Sequence, residues 1–205
     1  MTSMPKLLIA TENKGKMREL QELLSELPGI ELVLPSQLGI VLNVDETGST
    51  YAENAALKAR AYCEAGRMVT LSDDSGLEVY ALDGAPGIYS ARYSSKPGAT
   101  DADRRAFLLE NLKSKPRPWL AHFHAAIAIA LPGGEVHIAE GDCPGEIIPE
   151  ERGSNGFGYD PIFLLNERGL TMAELGENEK NRLSHRARAV ANAELILKEV
   201  LGIFG

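Results

Sequence analysis

Lys6-Leu7-Leu8-Ile9-Ala10-Thr11-Glu12-Asn13-Lys14-Gly15-Lys16 is the stretch whose reading decides the fold. Its apolar run is short and reads as a buried strand, which meets a polar turn over 11–16. Beyond the turn, Leu20, Leu23, Leu24 and Leu27 recur at helical spacing, and Pro28-Gly29 stops the helix. Glu31 to Leu34 reads as the next strand. A strand, a turn, a helix and a second strand in this order predict an α/β fold.

Further along, Thr50 is placed to cap a second helix, with Glu53 completing a capping box. Ala55, Ala56, Ala59, Tyr62 and Cys63 form its apolar face, and Gly66 closes it. Val69 to Ser72 reads as a strand that delivers Asp73-Asp74-Ser75-Gly76 to a turn, with a further strand over Leu77 to Leu82. A third helix is predicted over Thr100 to Ser114. Trp119 to Leu131 and Glu135 to Ala139 are rich in strand formers, and Pro132-Gly133-Gly134 joins them as a hairpin. Gly145 to Pro149 adds a short strand, a glycine-rich loop follows over Gly153 to Asp160, and Pro161 to Leu165 comes after it. The last helix covers roughly Arg186 to Leu201. Residues 1–205 therefore read as one domain, with two lobes whose boundary the sequence leaves open.

Composition narrows the function classes. With 205 residues, 44% of them hydrophobic, the chain can bury a full core, so disorder is excluded. A net charge of −8 leaves no broad basic surface for displacing phosphate counterions, which argues against nucleic acid as the main partner. The longest apolar run, Ala125 to Leu131, falls far short of the roughly 18–20 residues of a membrane span. The start of the chain does not read as a signal peptide. Cys63 and Cys143 lie in apolar patterns and read as buried thiols. A cytoplasmic protein without a membrane segment is the expectation.

Four segments carry chemistry. The turn Thr11 to Lys16 opens a helix, where free backbone N–H groups and the helix dipole favour an anion. Lys14 and Lys16 add charge, and Thr11 and Asn13 can donate hydrogen bonds. The GxxxxGK[ST] pattern of a Walker loop is absent, and a solvated turn fits the spacing equally well. The acidic pairs Asp45-Glu46 and Asp73-Asp74 form the second segment. Magnesium takes oxygen ligands, commonly one or two carboxylates with substrate phosphates and waters, so two such pairs suffice. An ordinary acidic turn describes Asp45 better than Asp74, which directly follows an apolar strand.

The third segment, Lys180-Asn181-Arg182-Leu183-Ser184-His185-Arg186-Ala187-Arg188, concentrates positive charge in an acidic chain. Basic residues at a helix start oppose the dipole, so phosphate or base binding is favoured over a solvated face. The fourth is Gly156-Phe157-Gly158-Tyr159-Asp160, where glycine allows close backbone approach and Phe157 or Tyr159 can stack on a base, the competing reading being a strained hairpin loop packed by its aromatics. His122 and His124 share a strand face and read as structural, with no third ligand near.

Together these segments resemble the ITP/XTP pyrophosphatase family, the non-standard purine NTP pyrophosphatases. The resemblance runs in order through ATENKGKMREL (10–20), DETGSTYAENAALKARAY (45–62), SDDSGLEV (72–79), GAPGIYSARY (84–93), GFGYDPIF (156–163) and EKNRLSHRARA (179–189). It implies an elongated mixed α/β sheet with flanking helices, two lobes around a substrate cleft, and a homodimer. The implied activity is magnesium-dependent hydrolysis of ITP, dITP and XTP to the monophosphate and pyrophosphate, which cleanses the nucleotide pool.

By the same resemblance, Thr11, Glu12, Asn13, Lys14, Gly15 and Lys16 bind the triphosphate. Glu46 and Asp74 hold the metal, and Asp74 also accepts the proton, with Ser75 a substrate contact beside it. Phe157, Gly158, Tyr159, Asp160, Lys180, His185 and Arg186 match nucleoside- and base-binding positions, and Lys58 is a further phosphate candidate. Ala187 stands where glycine commonly follows the Ser-His-Arg triplet. The implied mechanism has water attack the α-phosphorus, while N–H donors from His185, Arg186 and the 157–160 loop meet the 6-oxo group of the base. On this reading Arg186→Ala weakens ITP use far more than stability. The competing readings are a related pyrophosphatase for modified pyrimidine nucleotides, and a nucleotide-binding regulator without turnover.

Overall fold

The computed structural model describes residues 4–25 and 27–203. Its strands and helices are β1 (Lys6–Ile9), α1 (Lys14–Ser25), β2 (Glu31–Val33), α2 (Tyr51–Gly66), β3 (Thr70–Val79) and α3 (Asp101–Leu112). They continue with β4 (Trp119–Ala130), β5 (Val136–Ile147), β6 (Phe163–Leu165), β7 (Leu170–Thr171), α4 (Glu177–Leu183) and α5 (His185–Leu201). The strands form a seven-stranded sheet in the order β2-β1-β3-β4-β5-β6-β7. β1 runs parallel to both β2 and β3, while β6 is antiparallel to β5 and β7, so the sheet is mixed.

The chain divides into two compact units. The first holds residues up to Asp74, Ala125–Gly141 and Arg186 onward; the second holds Ser75–His124 and Asp142–His185. In the first unit β1 is buried on both faces, and alternate residues face opposite ways. Leu7 and Ile9 pack with Leu20 and Leu24 of α1 and with Ala189, Ala193 and Leu197 of α5. Leu8 and Ala10 pack with Val33 and with Tyr62 of α2. Each such fully buried leucine contributes about 1.5–3 kcal/mol, which is why the short apolar run Leu7 to Ala10 suffices to fix the centre of this unit.

α2 starts where its sequence says. Thr50 Oγ1 accepts from Glu53 N at 3.1 Å, and the Glu53 carboxylate reaches back to accept from the Ser49 N–H and hydroxyl. The second unit is built on Leu77 and Val79 of β3, Leu108 and Leu112 of α3, Trp119 and Phe123 of β4, Phe163 and Met172.

Three expected boundaries differ. β3 is one ten-residue strand, with Asp73 and Asp74 in its interior rather than in a turn. β5 continues without a break to Ile147, absorbing the short strand expected at Gly145. A separate helix, α4, precedes α5 and takes up Lys180.

Candidate functional site

In the first unit, the interior of β3 holds two adjacent carboxylates whose partners overlap at Lys16. Asp73 is buried beside Lys16 Nζ at 3.0 Å and accepts from Arg186 Nε at 2.9 Å. Asp74 faces Lys58, whose Nζ is 3.3 Å from Asp74 Oδ1 and 2.7 Å from Glu46 Oε1. Lys16 Nζ is also 4.0 Å from Asp74 Oδ1. Adjacent strand residues project to opposite sides, which is how one strand serves both groups.

The charges are strongly coupled. Burial opposes ionisation of Asp73, but Arg186, Lys16 and Lys58 outweigh it and hold its carboxyl well below the usual range. Burial pushes the Asp74 carboxyl up, with Glu46 and Asp73 adding to the rise and Lys58 and Lys16 opposing it. Burial lowers Lys16. It works against Lys58 too, yet Asp74, Asp73 and Glu46 more than offset it and raise that ammonium.

The turn before α1 is arranged differently from the expectation. Asn13 Oδ1 accepts from Gly15 N at 2.9 Å and Lys16 N at 3.1 Å, and Thr11 Oγ1 accepts from Asn13 N at 3.2 Å. Asn13 therefore caps the helix, and these N–H groups are taken inside the turn rather than left free for an anion. Glu12 receives the Tyr62 hydroxyl at 3.4 Å, and Lys14 is exposed.

Arg186 is placed otherwise than its assignment to the base implies. Its side chain is 1% exposed, bonded to Asp73 through Nε and to Glu19 through Nη1. A guanidinium enclosed by two carboxylates is a structural tie. Removing one partner of such a pair leaves buried charge behind, so Arg186→Ala cannot spare stability.

In the second unit the glycine loop is held by an ion pair. Asp160 Oδ2 accepts from Lys180 Nζ at 2.6 Å and from Phe157 N at 2.9 Å, and Lys180 Nζ lies 5.1 Å from the centre of the Phe157 ring. Gly156 has φ +74°, and a Cβ there would stand 2.0 Å from Asp160 Oδ2, so only glycine lets the loop close on the carboxylate.

Tyr159 is a core residue, and its hydroxyl donates to Ser90 O at 2.9 Å. Burial pushes that phenol upward. Its ring is not the stacking surface; half-buried Phe157 is the ring left for that task. His185 stacks on Phe123 with ring centres 4.8 Å apart and planes 14° from parallel. Ser75 follows Asp74 in β3 and is half-buried.

Carboxylates do approach the paired histidines. Asp142 Oδ1 is 2.7 Å from His124 Nδ1 and 3.8 Å from His122 Nε2, and Glu78 Oε2 is 3.5 Å from His122 Nε2. Among the described residues, no three His, Cys, Asp or Glu side chains are gathered so as to hold a metal ion.

A model of the Ham1 family matches residues 7–195. The chain belongs to the Ham1 family. Among curated relatives, a "dITP/XTP pyrophosphatase" of Listeria monocytogenes is 43% identical over 199 residues, 97% of each chain. Another of that name, from Mannheimia succiniciproducens, is 46% identical over 201 residues, 96% of this chain and 98% of its own. Among solved structures, a HAM1 protein of Coxiella burnetii superposes with a TM-score of 0.86 at 41% identity, covering 96% of this chain and all of that one. The Staphylococcus aureus Ham1 protein gives 0.83 at 37% identity, with 95% and 99% covered. The mixed α/β fold is thus that of Ham1 proteins.

Three residues that hold these groups in place lie outside the sequence-predicted site. Glu19 is the one with a legible signal: it follows Lys16 by one helical turn and precedes Leu23 by another, an acid on the buried side of α1. Asp101 and Arg105 of α3 touch the glycine loop and carry no local signal of doing so.

Proposed function

We propose that this Ham1-family chain hydrolyses non-standard purine nucleoside triphosphates, ITP, dITP and XTP, to the monophosphate and pyrophosphate. One observation carries the reading. Glu46 and Asp74 converge on a single ammonium, Lys58, with a second buried ammonium, Lys16, 4.0 Å from Asp74. Carboxylates and ammonium groups gathered in one place suit phosphoryl chemistry, where positioning and charge neutralisation supply most of the catalysis. The names of the curated relatives support the substrate class.

The donor set fits magnesium. Two carboxylates already focus on one cation, all the donors are oxygen, and magnesium commonly takes only one or two protein carboxylates. When bound, the ion neutralises phosphate oxygens. Glu46 and Asp74 would hold it, and Lys58 and Lys16 would pair with phosphate. Asp74 takes the proton of the attacking water. The new bond joins that oxygen to the α-phosphorus, the bond to the bridging oxygen breaks, and pyrophosphate leaves.

Lys180, His185 and the loop Phe157 to Asp160 make up the base contacts of this proposal, with Arg186 holding Asp73 instead. A homodimer in the cytoplasm, with no nucleic-acid partner, belongs to the same reading. It is supported by the family, by the net charge of −8, and by there being no described helix long and apolar enough to cross a membrane.

The test is incubation of the purified protein with ITP and magnesium in ¹⁸O-water. IMP carrying the label, together with unlabelled pyrophosphate, is the expected result. IDP with phosphate overturns the α-phosphorus mechanism, and an absence of turnover on purine triphosphates overturns the substrate class.

A further inference from the structure

We propose that Asp101 and Arg105, in the first two turns of α3, are positioning residues for base selection, because they hold both backbone groups of Gly158 beside Phe157. The proposal rests on the reading of the Phe157 to Asp160 loop as a base contact.

Gly158 N–H donates to Asp101 Oδ2 at 2.8 Å, and Gly158 C=O accepts from Arg105 Nη1 at 2.8 Å. Residues four apart on a helix share a face, so one side of α3 grips a single peptide residue at both ends. Arg105 is itself aimed by a two-pronged bond to Glu151, with Nε to Oε1 at 2.8 Å and Nη2 to Oε2 at 2.9 Å. A planar guanidinium forked on a carboxylate leaves Nη1 in a fixed direction, which a lysine cannot reproduce. The Arg105 side chain is only 12% exposed, so this is not a loosely solvated surface pair.

Asp101 has no capping duty to explain it. Asp103 already closes the box with Thr100, accepting Thr100 N–H at 2.9 Å while Thr100 Oγ1 accepts from Asp103 N at 3.2 Å. Burial works against charge on Asp101, and the Gly158 N–H and Arg104 outweigh it.

Tyr159 anchors the far side of the loop in the core, but at Gly158 itself the polar ties stand alone. Gly158 sits at φ +64° with no atom within 4 Å of where a Cβ would be, so apolar packing does not fix it. Phe157 N–H is tied on the other side to Asp160 at 2.9 Å. The Phe157 ring is therefore aimed by polar ties to its own N–H and to the residue after it. Loosening the second tie changes where the ring presents its face, and leaves the core of the unit alone.

The experiment compares wild type with Asp101→Ala, Arg105→Ala and Arg105→Lys, using ITP and ATP, and follows exchange of the Gly158 amide. Each alanine variant is expected to raise KM for ITP about 10-fold, the size of one charge-assisted hydrogen bond. kcat should stay within about two-fold, the preference for ITP over ATP should fall by a similar factor of about 10, and Gly158 exchange should quicken. Arg105→Lys should fall between, and it supplies a folded variant if Arg105→Ala is unstable. Lower thermal stability with unchanged KM and unchanged preference overturns the proposal and leaves a plain staple. If wild type prefers ITP and the folded variants do too, this inference alone fails. If wild type shows no preference, the base reading fails and takes this inference with it.

Discussion

Arg186→Ala removes the guanidinium that Asp73 and Glu19 share, and its effect can be worked from the buried charges. Arg186 is 1% exposed, Asp73 is 1% exposed and Glu19 is 4% exposed. Breaking a buried pair by deleting one partner costs about 3–5 kcal/mol, because the surviving charge has lost both water and its counterion. Asp73 keeps Lys16 at 3.0 Å, which argues against a cost beyond that range. For a domain of this size each kcal/mol moves the midpoint by about 2–4 °C, so a fall of roughly 6–20 °C is expected.

The pH dependence follows with a definite sign. In the wild type the Asp73 carboxyl lies below its unfolded value, so its contribution is complete above the ordinary carboxylate range and is lost only in stronger acid. In the variant, Asp73 loses the largest of the charges that hold it down and keeps Lys16 and Lys58, so its folded value rises toward the unfolded one. The wild type loses its Asp73 contribution as pH falls through and below the ordinary carboxylate range while the variant has little of it to lose, so the deficit of the variant should shrink below about pH 5. Urea unfolding at several pH values measures this directly. A variant within about 1 kcal/mol of wild type at pH 7, or a deficit that widens on acidification, refutes the account of Arg186 as a structural tie.

Two other substitutions probe the clusters separately. Asp74→Asn keeps the side-chain volume and leaves Lys58 its 2.7 Å contact with Glu46, so the thermal midpoint should move by only a few degrees. Initial rates on ITP should fall by about 10²–10⁴, and near-normal turnover would remove Asp74 from the mechanism. Gly156→Ala forces a side chain at φ +74° and a Cβ to 2.0 Å from Asp160 Oδ2. A loss of about 1–3 kcal/mol in a thermal melt is expected, and an alanine variant as stable as wild type would show that the loop is not closed on the carboxylate.

Much of the fold was legible because its signals are local. The Leu7 to Ala10 run, the leucine spacing of α1 and the Thr50–Glu53 cap each act within a few residues, and each element formed where it was read. The reading of β3 failed for a reason that is not local. Asp73-Asp74-Ser75-Gly76 alone signals a solvated turn, since bare carboxylates do not stay in a buried strand. They stay because Lys16, Lys58 and Arg186 neutralise them, and Arg186 lies 113 positions from Asp73. The partner that changes the meaning of the segment is invisible from the segment.

The same logic separates what a motif says of a residue from what its neighbours do with it. Motifs name the residue types that a chemistry needs, and Glu46, Asp74, Lys58 and Lys16 meet in one cluster as those types predict. Motifs do not say which polar groups are used up inside the protein. Asn13 is read as a donor to a ligand, and its Oδ1 is already taken by two backbone N–H groups of its own turn, which leaves only Nδ2 for that role. Arg186 and Tyr159 were expected to touch the base, and one is enclosed by carboxylates while the other is bonded to Ser90 O in the core. In each case burial decides, because a buried donor or acceptor left without a partner costs about 1–3 kcal/mol and is therefore claimed by whatever lies nearest. A basic or aromatic residue in a binding motif thus has two possible uses, holding the ligand or holding the residues that do. The spacing is identical for both, and only the distances to its neighbours tell them apart.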